Sequence, residues 1–422
     1  MVAELISVGT ELLMGQILDT NAQYLSRQLS DMGIRVLYKS TIGDNPQRMK
    51  EAFAQALSRS DLVITTGGLG PTPDDITKEM WAEMMGLPLY EDAACMERLE
   101  ARFQTFHPGK PMASINRKQA FMPQGTLVMP NPNGTAPGCI IDKDDKIVVI
   151  MPGPPFEMKP MFENHAKPFL YEKCDDMLVS HFIRILGMGE SDVAATLQDL
   201  IDAQTNPTIA TYISTTDVQV RITAKCKRGE DAEAILAPME QEVLRRLGDC
   251  VYEVGEEALE DVVARMLIDR GQTLSIAESC TGGWLTSALV AHSGASEFLE
   301  EGLVTYSNNA KLRHLNVDAA LLLAHGAVSR EVAQAMAVNS RALSGTDYGL
   351  SVTGIARPTG GTEEKPVGTV YIGVADKHGV QVEHFKFSSD RSRNRQRAVT
   401  NALNLLRLRI LANDKLQGIP QK

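Results

Sequence analysis

The sequence predicts a multi-domain α/β protein, and three observations carry that reading. The 422 residues exceed the roughly 250–300 that one hydrophobic core organises, so two or three domains are expected. Through residues 1–170, short apolar runs alternate with helical patterns, the rhythm of a parallel sheet covered by helices. At Thr273–Val290 an apolar run, a tight glycine-bearing turn and a helical pattern follow one another directly.

Composition bounds the function. An apolar fraction of 43% with 23% charged residues is that of an ordinary soluble protein. The net charge of −11 argues against non-specific nucleic-acid binding and against anionic membranes. The six cysteines (95, 139, 174, 226, 250 and 280) show no C-x-x-C and no histidine at zinc spacing, which suits reduced thiols in a cytoplasmic protein. Met1–Gly9 lacks the basic start of a signal peptide, and no uncharged run reaches the roughly 18 residues of a membrane span.

Taken in order, Leu5–Val8 reads as a strand, followed by Gly9-Thr10-Glu11 and by Asp19-Thr20-Asn21 leading into a helix through Leu29. A strand at Arg35–Ser40 and a helix at Pro46–Ser58 come next. The strand Asp61–Thr66 enters Gly67-Gly68-Leu69-Gly70-Pro71-Thr72-Pro73-Asp74-Asp75 and the helix Ile76–Met85. Ile147–Met151 enters Pro152-Gly153-Pro154-Pro155-Phe156-Glu157. These loops follow strand C-termini, where open α/β sheets bind ligands. The Gly-Gly-Leu-Gly loop lets backbone N–H groups approach an anion, and the helix behind it favours negative charge. Asp74 and Asp75 beside a phosphate suit divalent-metal ligands, with Glu11 and Asp19 ending neighbouring loops. The simpler reading is that Asp75 caps its helix and Asp74 is solvated.

Gly9-Thr10-Glu11-Leu12-Leu13, Gly15-Gln16, Asp19-Thr20-Asn21, Thr65–Thr72 with Asp74-Asp75-Ile76-Thr77, Asn116–Ala120, Asn131–Gly138 and Pro152–Pro155 together resemble the N-terminal domain of the CinA family. That domain is similar to the molybdopterin-binding fold. In the family it is associated with metal-dependent hydrolysis of ADP-ribose. The resemblance implies Gly67, Gly68, Gly70, Gly153 and Glu157 as substrate-binding residues. It also implies a divalent metal (Mg, Mn or Co) at Asp74, Asp75, Glu11 and Asp19.

Residues 171–252 change character: a strand at His181–Leu186, a helix at Gly189–Asp202, a hairpin from Thr208–Ile213 and Val218–Lys225, and a helix at Asp231–Leu247. This order predicts a small α+β domain, and the family carries a KH-like module here. Nucleic-acid KH domains need a G-x-x-G loop with basic neighbours, whereas Gly187-Met188-Gly189-Glu190 has another spacing and an acidic residue. A structural or dimer-forming domain without nucleic acid is therefore expected. The acidic linker at Glu253–Glu257 opens the last domain, 253–422.

That domain begins with an amphipathic helix (Leu259, Val262, Val263, Met266, Leu267) and reaches Ala277-Glu278-Ser279-Cys280-Thr281-Gly282-Gly283. A hydroxyl at such a turn projects from the strand end, and unpaired helix N–H groups can receive an oxyanion. Ser279 or Thr281 acting only as a helix cap is the alternative. Strand Gly302–Thr305 ends at Tyr306, with Ser307 able to cap a helix that contains Lys311. Tyr348–Thr353 ends at Thr353-Gly354-Ile355-Ala356, Val367–Val374 is a further strand behind Gly360-Gly361, and a helix over Asn394–Leu411 closes the domain.

Three strand ends thus supply Ser279, Tyr306 and Thr353. No His–Asp pair stands out as a base for the serine, but a lysine desolvated in a cleft loses enough basicity to act as one. Taken by itself, Lys311 also reads as an exposed helix lysine. The spacing from Tyr306 to Lys311 and the lack of a G-x-G-x-x-G exclude a nicotinamide oxidoreductase. Cys280 is the rival nucleophile if its helix N-terminus lowers its pKa.

Ala277–Gly283, Val304–Asn308 with Lys311, Thr353–Ala356 and Lys365–Val370 resemble the C-terminal domain of the CinA family. That domain is similar to nicotinamide-nucleotide amidohydrolases, which convert NMN to nicotinate mononucleotide and ammonia without a cofactor. The resemblance implies Ser279 as nucleophile, Lys311 as its base and Tyr306 and Thr353 as assisting groups. Cys280, Thr281, Gly282, Gly283, Gly354 and Arg393 would bind substrate, with Arg393 toward the phosphate. Arg393 and Arg397, at i and i+4, equally suit a solvated basic face. Arg357 stands where the family pattern Gly-Ile-Ala-Gly-Pro has its second glycine, which bears on the activity rather than on the fold. The expected whole is a cytoplasmic, homodimeric three-domain protein acting on NMN and ADP-ribose. The alternative is a nucleotide sensor or scaffold in competence or DNA repair.

Overall fold

The computed structural model describes residues 1–174, 176–214, 216–227, 229–356, 361–362 and 364–417. The chain has a three-domain α/β architecture. By internal contacts it forms two compact units, Met1–Ser180 with Thr223–Ile235, and His181–Ile222 with Leu236–Lys422.

The first unit is built on a six-stranded sheet. Its strands are β1 (Val2–Val8), β2 (Arg35–Ile42), β3 (Leu62–Thr66), β4 (Leu127–Met129), β5 (Gly138–Lys143) and β6 (Lys146–Met151), in the order β2-β1-β3-β6-β5-β4. β1, β2, β3 and β6 run parallel, as the alternation of strand and helix predicts, whereas β5 and β4 add an antiparallel edge. The central strands are near-continuous apolar runs because helices cover both faces. On β6, Ile147, Val149 and Met151 enter one core, while Val148 and Ile150 enter the other. The helix Pro46–Arg59 begins at Asn45, whose side chain accepts the Arg48 N–H, with Pro46 in the first turn. Phe53 of that helix stacks on Trp81, ring centroids 4.1 Å apart, which seats the helix Thr77–Met84 behind the glycine loop.

Further along the chain come a four-stranded and a five-stranded sheet. The four-stranded one comprises β7 (Asp176–Ile185), β8 (Thr208–Ile213), β9 (Val218–Lys227) and β10 (Val251–Val254), in the order β8-β9-β7-β10. Two readings change here. Gly189–Asp202 is not one helix but two, Glu190–Thr196 and Gln198–Asp202. The segment read as a linker enters the sheet first, because Val251–Val254 pairs antiparallel with β7.

The five-stranded sheet comprises β11 (Leu274–Glu278), β12 (Leu299–Val304), β13 (Tyr348–Gly354), β14 (Thr369–Asp376) and β15 (Gly379–Lys386), in the order β12-β11-β13-β14-β15. β12, β11 and β13 are parallel, and β14 and β15 complete the sheet antiparallel. On one face, Leu274, Ile276, Tyr348, Leu350 and Val352 pack with the helices Leu259–Arg270 and Arg391–Gln417. The helix Arg330–Ser344 lies so close on the other face that a Cβ on Gly349 would sit 2.2 Å from the Ala337 carbonyl oxygen. The closing helix exceeds the expected Asn394–Leu411 at both ends. β14 is the strand expected at Val367–Val374, whereas β4, β5, β15 and the helix Arg330–Ser344 were not anticipated from the sequence.

Candidate active site

The side chains of a strand alternate between its faces, and this places the nucleophile candidate. Ala277 enters the small core that Leu315 and Val317 build around the helix Asn308–Leu315. Ser279 follows two residues later, one step past β11, where its N–H donates to the Val352 carbonyl at 2.9 Å. Gly282 and Gly283 then turn the chain with φ of 63° and 90°, left-handed values that glycine adopts without strain, into the helix Trp284–Val290.

Lys311 reaches the same point from the neighbouring strand end. Ser307 accepts the Ala310 N–H and starts the short helix that carries it. The Lys311 ammonium donates to Ser279 Oγ at 3.0 Å and to the Thr305 carbonyl at 2.6 Å. Lys311 is fully buried, and among the described residues no carboxylate pairs with it. Burial lowers its pKa from the ordinary lysine value to about 8. A lysine in that state, hydrogen-bonded to a serine hydroxyl, can take the hydroxyl proton at neutral pH.

Other expected residues stand differently. Burial pushes the Cys280 thiol up to about 11, so the neighbour of Ser279 is a protonated thiol rather than a thiolate. Its sulfur packs on Gly354, where a Cβ would lie 3.1 Å from Sγ and 2.9 Å from the Thr369 carbonyl oxygen. The buried Thr353 hydroxyl donates to the Ala327 carbonyl at 2.8 Å, a protein contact rather than a free group. Tyr306 is 64% exposed and makes no hydrogen bond with Ser279 or Lys311, so the relay expected of it has no geometry here. Thr281 is fully buried, yet its hydroxyl has no hydrogen-bond partner among the described residues.

The arginine that reaches this loop is not Arg393. Arg393 is exposed beside Asp390 at 3.5 Å, and with Arg397, Gln396, Ile213 and Ser214 it lines an open hollow of ≈ 460 Å³. Arg395 instead donates to the Thr281 carbonyl at 2.6 Å and lies 5.3 Å from the centre of the Trp284 ring. Two residues along a helix turn the side chain by roughly 200°. The i, i+4 spacing singled out the outer face, and it is Arg395 on the inner one that meets the loop. Arg357 and Gly360 lie outside the described residues.

In the first unit, Gly67 and Gly68 have φ of 103° and 67°. A Cβ on either would sit 2.1 Å from an oxygen, that of the Val8 carbonyl or of the Thr77 hydroxyl. Asp75 accepts the Thr72 N–H at 3.1 Å and the Thr72 hydroxyl, and a Cβ on Gly70 would strike that carboxylate. Asp74 is exposed. Asp19 caps its helix through the Ala22 N–H at 2.9 Å and accepts from Ser7 at 2.6 Å. The Glu11 carboxylate lies over Gly9. Glu157 accepts from Asn131 at 2.6 Å and so braces the 131–134 loop.

Among the described residues, no three His, Cys, Asp or Glu side chains converge to hold a metal. Asp74, Asp75, Glu11 and Asp19 therefore build no protein-only cage. Mg²⁺ needs less, since one or two carboxylates with substrate phosphates and water complete its shell. The donor set fits a cation shared with a phosphorylated ligand. A cleft of ≈ 240 Å³ is lined by Glu11 and Asp19 together with Asn21, Thr66, Gly153 and Pro154, and Asp74 and Asp75 are not part of its lining. Two buried polar atoms in this region have no hydrogen-bond partner among the described residues, Asn21 Oδ1 and Thr77 Oγ1. Orphaned polar atoms of this kind are costly and mark a place where a polar ligand can be received.

Fold and site together define a multi-domain α/β protein with a serine–lysine pair at a strand end and a separate glycine-loop cleft. Its three segments match the "Probable molybdopterin binding domain" over residues 4–172, the "Damage-inducible protein CinA KH domain" over 180–252 and the "CinA C-terminal domain" over 256–410. A competence-damage inducible protein of Clostridium novyi (strain NT) is 47% identical over 411 residues, covering 97% of this chain and 99% of that one. One from Clostridium beijerinckii is 48% identical over 407 residues, covering 96% and 99%. The chain belongs to the CinA family. A solved CinA superfamily protein from Klebsiella pneumoniae 700603 is 36% identical over 36% of this chain and 96% of its own, with a TM-score of 0.36. The CinA protein "with unknown function" from Thermoplasma acidophilum is 33% identical over 40% and 98%, with a TM-score of 0.37.

Proposed function

We propose that the C-terminal domain hydrolyses the carboxamide of NMN to nicotinate mononucleotide and ammonia. The observation that carries this reading is the buried Lys311 Nζ at 3.0 Å from Ser279 Oγ, with no carboxylate among the described residues to hold its proton. Neutral Lys311 accepts the Ser279 proton as Oγ bonds to the carboxamide carbon. The C–N bond then breaks, and ammonia leaves with that proton. Water hydrolyses the resulting ester, giving one proton to Lys311, which returns it to Ser279 Oγ as nicotinate mononucleotide departs. Cys280 remains a thiol throughout. Ammonia release from NMN, followed beside Ser279→Ala, tests this. Loss in the variant supports the mechanism, and equal rates in both proteins exclude it.

The glycine-loop cleft supports a second activity, hydrolysis of the pyrophosphate of ADP-ribose. Asn21 Oδ1 and Thr77 Oγ1, buried and unpartnered near Gly67 and Gly68, are the observation that favours it. Asp74 and Asp75 would hold a divalent cation, which supplies charge neutralisation on the phosphates. The functional form we propose is a cytoplasmic homodimer, with its mass in solution as the check. A sensor or scaffold would bind both nucleotides without turnover, and a sensor has no use for a desolvated lysine on a serine.

A further inference from the structure

The helix N-terminus behind the nucleophile is already occupied by a side chain of the protein. Glu278, the last residue of β11, is fully buried. Its Oε2 accepts the N–H groups of Gly283 at 2.9 Å and Leu285 at 3.2 Å. Its Oε1 accepts the Thr286 N–H at 2.8 Å and the Thr286 hydroxyl at 2.6 Å. Among the described residues no Lys or Arg pairs with this carboxylate, so backbone amides and one hydroxyl hold it. Helix N-termini favour an anion in this way, and here the anion is fixed into the fold.

Two consequences follow for the site. The alternation of β11 turns Glu278 under the helix Trp284–Val290 while its neighbour Ser279 meets Lys311 on the opposite side. One clamp therefore fixes the path of residues 279–283. The donors expected to form an oxyanion hole also divide into two sets. Gly283 serves Glu278, Ser279 serves Val352, and Trp284 faces the Thr281 carbonyl at 3.4 Å. The N–H groups of Cys280, Thr281 and Gly282 make no hydrogen bond to another residue among the described residues, and Arg395 steadies the Thr281–Gly282 peptide through the Thr281 carbonyl.

We propose that Glu278 is a positioning residue for Ser279: its carboxylate clamps residues 279–283 to the helix and leaves the Cys280, Thr281 and Gly282 amides for the oxyanion. This rests on the amidohydrolase reading above. A second anion at the helix N-terminus would meet the fixed charge of Glu278, so the tetrahedral oxygen goes to the loop instead.

The test uses the full chain and Glu278→Gln, which keeps the shape but turns an NH₂ toward amide donors. Three quantities are measured: kcat and KM for NMN, the Kd of nicotinate mononucleotide, and the rate at which a fluorophosphonate labels Ser279. The expected result is a fall in kcat of ~100-fold or more, the scale of losing an oxyanion donor. Product Kd stays within about threefold, since binding is not what the clamp supplies. Labelling slows with kcat. A kcat within a few-fold of wild type overturns the proposal. A Kd that weakens as much as kcat falls also overturns it, because the role is then only structural. Thr286→Val, which removes one of the four donors, gives a milder fall in kcat and stands in if Glu278→Gln does not fold. Should the wild type be labelled at Ser279 without hydrolysing NMN, the substrate reading fails while the labelling ratio still decides the role of Glu278. A wild type that is neither labelled nor active overturns both.

Discussion

Lys311 Nζ lies 3.0 Å from Ser279 Oγ, and Lys311 has no solvent-accessible surface. The desolvation that lowers its pKa to about 8 makes its protonation state the control on reactivity. Amidase kcat/KM should rise with pH through about 8 and level off above it, as Lys311 loses its proton. Lys311→Ala should lower kcat by ~100-fold or more and abolish that rise, within the range general-base catalysis supplies. A pH–rate series on both proteins reads this, and an unchanged midpoint in the variant would exclude Lys311.

The same burial carries a stability cost with a definite sign. The folded pKa of about 8 is below the ordinary 10.5, so the folded state holds the proton less tightly than the unfolded chain. The full penalty is present below about pH 8, where both states are protonated, and it fades as pH rises toward 10.5. Lys311→Met should therefore stabilise the C-terminal domain at pH 7, by at most ~3 kcal/mol at 1.36 kcal/mol per unit. The gain should shrink by pH 10. Urea midpoints at the two pH values measure it.

Cys280 is next to the nucleophile but inert. With the thiol at about 11, Cys280→Ala should keep ammonia release within a few-fold of wild type. The cavity left by the sulfur should cost about 1 kcal/mol or somewhat more. Loss of turnover comparable to Ser279→Ala would return the thiol to the mechanism.

Gly354 tests the packing of the loop. A Cβ there would meet Val370 Cγ2 at 2.7 Å, the Thr369 carbonyl oxygen at 2.9 Å and Cys280 Sγ at 3.1 Å. Since the carbonyl belongs to the adjoining strand and has little room to move, Gly354→Ala should push on the sulfur side. We expect a loss of roughly 1–3 kcal/mol, as for other overpacked cores. A fall in amidase kcat should accompany it, read by thermal unfolding and steady-state kinetics together.

For the first unit, EDTA should stop AMP formation from ADP-ribose, and added Mg²⁺, Mn²⁺ or Co²⁺ should restore it. Asp75→Ala should reduce it at least ~10-fold while leaving ammonia release unchanged. Asp75 also holds Thr72, so circular dichroism of the variant accompanies the assay. AMP formation that survives both treatments would sink the metal-dependent reading.

The parallel strands and their order along the chain were legible because periodicity records how each segment meets its own core. The two-faced burial of β6 and the serine after β11 follow from that rule alone. The glycine turn into the helix Trp284–Val290 was legible for a similar reason, because left-handed φ and close backbone approach leave glycine as the residue that fits. Val251–Val254 was not, since so short a segment joins a sheet only when a partner strand lies beside it.

By itself, then, the sequence determined the parallel strands of the first and last domains, the three-domain division and the strand ends at which chemistry-bearing residues would stand. Tertiary structure alone decided that a helix lysine would be buried on Ser279, that Arg395 rather than Arg393 would reach the loop, and that Tyr306 would stand apart in solvent. It also decided that Glu278 would occupy the amides reserved in expectation for an oxyanion. The physical reason is the same each time. Spacing along a chain fixes which face of an element a side chain occupies, but what lies opposite that face, and so its dielectric, its partners and its pKa, is set by another part of the chain.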